Sequence, residues 1–101
     1  MKHRLTPRAA QEATDANAWW REHRPAAPAL FATELAAALA TIHIAPLSGA
    51  PYGSHEELLV RRVLLPKTRF HAYYVVDDVG PLVLSVWSAQ RGRGPNFGPT
   101  H

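Results

Sequence analysis

The chain has 101 residues and no cysteine, which excludes disulfides, thiolate nucleophiles and cysteine-based zinc sites, and its length points to a single domain around one modest core. The first residues, MKHRLTPRAAQEATD, lack the apolar run of a secretory signal, and no uninterrupted apolar stretch approaches the roughly 20 residues of a membrane span, so a soluble cytoplasmic protein is expected. The formal net charge of +3 is uneven: residues 1–57 hold five basic and six acidic side chains, whereas residues 58–101 hold six basic ones against Asp77 and Asp78, which places the electrostatic footprint in the C-terminal half.

Lys2 to Leu5 reads as a short first strand. Thr6-Pro7 then starts a helix, with Thr at the N-cap and Pro at the first helical position, where its missing N–H costs nothing. Ala9, Ala13, Ala16 and Trp20 form its apolar stripe, with Trp19 on a neighbouring flank and Arg8, Glu12, Asp15 and Glu22 mostly off the stripe. Pro25 disfavours helical geometry at Arg24, so the helix should stop near His23. After the connector Arg24-Pro25-Ala26-Ala27-Pro28, a second apolar face runs through Phe31, Leu35, Ala38, Leu39 and Ile42, ending at Pro46 and Gly49. Two helices joined this tightly should form an antiparallel hairpin, about residues 7–43.

Ala45 to Ser54, with two prolines and two glycines, reads as the main loop. Beyond it the apolar period becomes strand-like, and a sheet is expected over about residues 58–91. Leu58–Leu65 is the first run, with Arg61 and Arg62 on opposite faces. Phe70–Asp77 is the second, with Phe70, Ala72, Tyr74 and Val76 opposite Arg69, His71, Tyr73 and Val75. Leu82–Ala89 is the third, with Leu82, Leu84 and Val86 on one face. Pro66-Lys67-Thr68 and Asp77-Asp78-Val79-Gly80-Pro81 supply the turns, and runs joined this closely must be antiparallel. Residues 92–101 should be a loop or flexible tail. The predicted class is α+β: a helical hairpin covering one side of a small antiparallel sheet, with the other side partly open and carrying Arg69, with Arg61 as a further candidate.

No nucleophile triad or phosphate-cradling loop is present. His3, His23, His43, His55, His71 and His101 show no paired ligand spacing, so neither metal nor cofactor is expected. The constellation that carries chemistry is Lys67, Arg69 and Arg91, brought towards one end of the sheet by antiparallel pairing. It suits phosphates or carboxylates, which pair bidentately with guanidinium; the alternative is a set of edge charges that prevents strand-to-strand aggregation. His71, two residues from Arg69, is the nearby group that titrates around neutrality. Arg61, Trp87 and Arg93 complete the candidate binding residues.

At these residues the chain resembles the RelE/ParE superfamily of type II toxin–antitoxin toxins. The resemblance spans nearly the whole sequence: Trp19-Trp20, Arg24-Pro25-Ala26-Ala27-Pro28 and Phe31-x-x-Glu34-Leu35, then Pro46-x-x-Gly49-x-Pro51-Tyr52, Val60-Arg61-Arg62-x-Leu64-Leu65, Arg69-Phe70-His71-x-Tyr73-Tyr74 and Val86-Trp87-x-x-x-Arg91. It implies the helical-hairpin-plus-sheet toxin fold, a cognate antitoxin bound in a hetero-oligomer, and growth arrest by the free toxin. RelE-like members cut messenger RNA on the ribosome; ParE-like members poison DNA gyrase. Arg69 and Arg91 match the nuclease pattern, with Lys67 and His71 as further catalytic candidates. Six residues after Arg91, however, Phe97 stands where the nuclease needs a Tyr, and Phe has no ionisable group. A ParE-like, gyrase-binding toxin is therefore expected. The alternatives are a ribosome-dependent endoribonuclease and a non-toxic relic that only binds antitoxin.

Overall fold

The computed structural model describes residues 3–97; Lys2 and the tail residues 98–101, His101 among them, lie outside the described residues. Helix α1 spans Pro7–His23 and α2 Leu30–Ile44, followed by strands β1 (Ala50–His55), β2 (Leu58–Leu65), β3 (Phe70–Val76) and β4 (Pro81–Ser88) and a 3-10 turn, Ala89–Arg91. The strands form one antiparallel meander in the order β1-β2-β3-β4. The protein is thus α+β, two helices on a four-stranded antiparallel sheet.

Local chemistry sets the helix ends. Thr6 Oγ1 accepts from the Ala9 N–H at 3.1 Å, satisfying one of the donors the first turn leaves open, and Pro7 occupies the next position. The helix stops at His23, with the Arg24 N–H donating to Trp20 O and Pro25 following. Trp20 is buried, and its indole N–H donates to Ala27 O at 2.9 Å, tying the connector between the helices to α1. Just before α1, the chain makes a single parallel bridge, Leu5 to Val83, on the outer edge of β4 rather than a strand.

Helix α1 lies over β4 and α2 over β2. Phe31, Ile42, Leu65, Ala72, Tyr74 and Val83 form the centre of the core between them, with Phe31 and Phe70 edge to face at 5.0 Å. This is the side of β3 that carries Phe70, Ala72, Tyr74 and Val76, as the alternation predicts.

Three expectations need correction. First, the segment expected to be loop contains β1, paired with β2 from Ala50↔Arg62 to His55↔Leu58. Its pairing is interrupted between Pro51 and Gly53, and it sits at the sheet edge, where Pro is tolerated because one side of the strand has no ladder to make. Second, Val86 shares the helix-side core with Val83, while Leu82 and Leu84 face the other way. The register shift opposite Tyr73/Tyr74 inserts one extra residue into β4 and inverts the alternation beyond it. Third, the other side of the sheet is not open. Val60, Tyr73, Val75 and Leu84 form a second buried cluster, roofed by Tyr52, Trp87 and Phe97.

The tail supplies part of that roof. Residues 92–97 have no regular structure, yet Pro95 is buried, Tyr52 Oη donates to its carbonyl at 3.2 Å, and the Trp87 indole N–H donates to Arg93 O at 2.9 Å. Phe97 packs tilted against Tyr73, with ring centroids 5.6 Å apart. Tyr52 of β1, Trp87 of β4 and the tail residue Phe97 together cover the second face of the sheet.

Candidate functional site

A cavity of about 520 Å³ opens between α1 and the end of the sheet where β2 turns into β3 and β4 ends. Helix α1 contributes Glu12, Asp15, Trp19 and Trp20, with Arg24 just beyond it. The turn after β2 contributes Lys67, Thr68 and Arg69, and the segment after β4 contributes Ser88, Gln90 and Arg91. Antiparallel pairing does what the sequence suggested for Lys67, Arg69 and Arg91: Leu65 pairs with Phe70 and Phe70 with Ser88, so the residues just outside those pairs converge.

The cationic wall is built, not loose. Glu34, from α2, accepts from the backbone N–H groups of Lys67 (2.9 Å) and Thr68 (2.8 Å) and from Thr68 Oγ1 (2.9 Å). Burial pushes the Glu34 carboxyl up, but these hydrogen bonds and the Lys67 charge outweigh it, and the net shift is downward, so it is ionised at neutral pH. Arg69 closes the turn with its N–H on Leu65 O at 2.9 Å and its own φ at 63°, in the left-handed region. Arg91 lies 4.2 Å above the Trp87 ring, a cation–π contact that fixes the guanidinium plane. Among the described residues, the side chains of Lys67, Arg69 and Arg91 make no ion pair.

The opposite wall is acidic. Glu12 Oε1 accepts from Ser85 Oγ (2.6 Å) and from the Val86 N–H (3.0 Å), and Oε2 pairs with Arg8. It thereby satisfies the outer edge of β4 in place of a fifth strand. Asp15 Oδ1 accepts from the Gln11 side chain at 2.8 Å. Trp19, 45% exposed, forms an aromatic side of the cavity, stacked on His23 at 4.4 Å with Arg24 5.5 Å from its ring centre.

The remaining sequence candidates lie elsewhere. His71 does not line the cavity: it is on the opposite side of the sheet from the helices, 5.7 Å from Tyr73. The expectation that it shares a face with Arg69 is corrected because Arg69 belongs to the left-handed turn and leaves the strand's alternation. Burial, then Arg62 and Arg69, push the His71 imidazole down, and burial pushes the Tyr73 phenol up, so both are neutral at neutral pH. Arg61 is not on an open face either; it donates to Leu47 O (2.9 Å) and Gly49 O (3.0 Å), clamping the loop before β1. Arg93 is exposed outside the cavity, and Trp87 stands behind Arg91.

Glu34, Arg24, Glu12 and Asp15 were not among the candidates. Their signal was faint: Glu34 borders the stripe of α2, and Glu12 and Asp15 read as the solvated face of α1. Among the described residues no three His, Asp or Glu are placed to hold a metal ion, and no helix is long and apolar enough to cross a membrane. No family model and no curated protein matches the chain.

Proposed function

We propose that this chain is a ParE-like toxin of the RelE/ParE superfamily, which arrests growth by binding DNA gyrase and is held inactive by a cognate antitoxin. The observation that carries binding rather than catalysis is the separation of the clustered cations from His71 and from Phe97, the position at which the resemblance calls for an acid–base residue. Lys67, Arg69 and Arg91 line the cavity, whereas His71 and Phe97 lie on the far side of the sheet. Cleaving RNA needs a base for the 2′-hydroxyl proton and an acid for the leaving oxygen. Of the carboxylates in the cavity, Glu12 is bound to Ser85, Val86 and Arg8, and Asp15 stands on the α1 wall, bound through Oδ1 to Gln11. The helical hairpin on an antiparallel meander is consistent with the superfamily fold, and the basic excess of the C-terminal half suits an acidic antitoxin segment.

The direct test adds purified chain to gyrase and follows DNA supercoiling. Inhibition at micromolar chain, relieved by the product of the adjacent small gene, is expected; unchanged supercoiling would overturn the gyrase reading. The clustered cations favour the ribosome-dependent nuclease as the second reading. Its signature is messenger RNA cleavage in a translating extract, abolished by Arg69→Ala or Arg91→Ala. Normal growth after induction without antitoxin would instead mark a relic that keeps only its antitoxin-binding surface.

A further inference from the structure

Opposite charges line the cavity between α1 and the sheet end, yet no ion pair among the described residues crosses it. The fold holds the two walls apart and satisfies each carboxylate on its own side. With the charges paired directly to the walls included, five cations (Arg8, Arg24, Lys67, Arg69, Arg91) stand against three carboxylates (Glu12, Asp15, Glu34), which leaves an excess of two positive charges. A phosphate monoester carries roughly −1.5 to −2 at neutral pH and matches that excess. A diester backbone, with one charge per unit, would need a cationic track beyond the cavity. The neighbouring arginines extend the cationic surface little: Arg4 is paired with Asp77, Arg8 with Glu12, Arg61 is bound to loop carbonyls and Arg62 lies over Tyr52, while Arg93, exposed outside the cavity, adds one charge and not a track.

Arg69 adds an independent sign. It occupies a backbone conformation that favours glycine, and Glu34 anchors the turn that leads into it. The anchored turn fixes where the Arg69 side chain leaves the backbone, beside Lys67 and facing α1 across the cavity. The cavity volume, about 520 Å³, falls within the roughly 300–1,000 Å³ of small-ligand sites. Across the cavity on α1, Trp19, stacked on His23 through one face yet 45% exposed, offers an aromatic surface, and Asp15, whose Oδ1 accepts from Gln11, offers its second carboxylate oxygen.

We propose that this cavity binds a nucleoside monophosphate, with the phosphate on Lys67, Arg69 and Arg91, the base against Trp19, and a ribose hydroxyl or exocyclic amine donating to Asp15. No bond is made or broken; the site is one of recognition. It does not depend on growth arrest or gyrase inhibition, so those assays and this one fail separately.

The test is calorimetric titration of the full chain with adenosine and guanosine 5′-monophosphates, the parent nucleosides, inorganic phosphate, and a short single-stranded RNA without terminal phosphates. The monophosphates should bind at least about tenfold more tightly than the nucleosides or the RNA, from the charge-assisted hydrogen bonds to the monoester, and at least about tenfold more tightly than inorganic phosphate, from the base stacked on Trp19. Arg91→Ala, and Arg69→Gly, which relaxes the turn while deleting the guanidinium, should each weaken binding about tenfold or more, and Arg21→Ala should not. Trp19→Ala should weaken the monophosphates but not inorganic phosphate. Thermal melts of each variant separate lost binding from lost folding. Absence of binding up to millimolar ligand, nucleosides or phosphate binding as tightly as the monophosphates, or tighter binding of the RNA would each overturn the assignment.

Discussion

Arg69 and His71 are two residues apart in sequence, and the structure gives them opposite roles. Arg69 stands at φ 63°, where a Cβ is unfavourable and glycine is not. Arg69→Gly should therefore raise folding stability by about 1 kcal/mol, while Arg69→Ala, which keeps the Cβ, should not. Denaturant unfolding of the pair measures the difference, and equal midpoints would mean the turn is unstrained. His71 is partly buried on the far side of the sheet, and its Nδ1 is buried with no hydrogen-bond partner. Burial and the nearby Arg62 and Arg69 make the neutral ring the favoured form in the folded chain. The unfolded chain takes up the proton at about pH 6.5, so this contribution is fully present above that pH and is lost as pH falls towards the lower, folded value. The melting temperature should fall between about pH 7.5 and about pH 5.5, and His71→Gln should remove that part of the slope. A profile identical in the two proteins would contradict it.

Among the elements, the helices were legible and the first strand was not. Thr6-Pro7 and Pro25 mark the ends of α1 by chemistry that acts within a few residues. Strand β1 lacks such marks: Pro51 and Gly53 argue against a strand, and its hairpin turns on Glu56-Glu57, both at positive φ (50° and 69°), where Asn-Gly or Asp-Gly is the usual sign. The bulge in β4 was invisible for a related reason, since an extra residue is placed by the partner strand and not by local composition. The same limit explains the site. The convergence of Lys67, Arg69 and Arg91 follows from strand order, but Glu34 and the acidic wall depend on how the helices dock. The loop into β1 is fixed by tertiary contacts as well: Tyr74 Oη donates to Pro46 O at 2.7 Å and accepts from the Gly49 N–H at 3.0 Å. A Cβ at Gly49 would come within 2.5 Å of that oxygen and 3.0 Å of the Arg61 Cβ. Gly49→Ala should thus cost about 1–3 kcal/mol, read as a lower unfolding midpoint, with the largest loss of amide protection in β1.

At the scale of the whole molecule the sheet is covered on both sides, by helices on one and by the Tyr52 and Trp87 side chains and the tail on the other, and this arrangement decides what Phe97 can do. If the phenylalanine were the one missing piece of a nuclease, Phe97→Tyr would restore cleavage. Its ring instead packs against Tyr52 (6.1 Å), Tyr73 (5.6 Å) and His55 (6.3 Å), under the Arg8 guanidinium at 5.3 Å, and it is not among the residues lining the cavity of Arg69 and Arg91. A hydroxyl added there meets the second core and not the cationic wall. The expected outcome is therefore a folded protein with stability changed by less than about 1.5 kcal/mol and no gain of RNA cleavage in a translating extract. Cleavage appearing in Phe97→Tyr would place the working face of the protein on the tail side of the sheet. It would transfer the catalytic candidates to His71 and Arg62, and would leave the cavity between α1 and the sheet end to ligand binding alone.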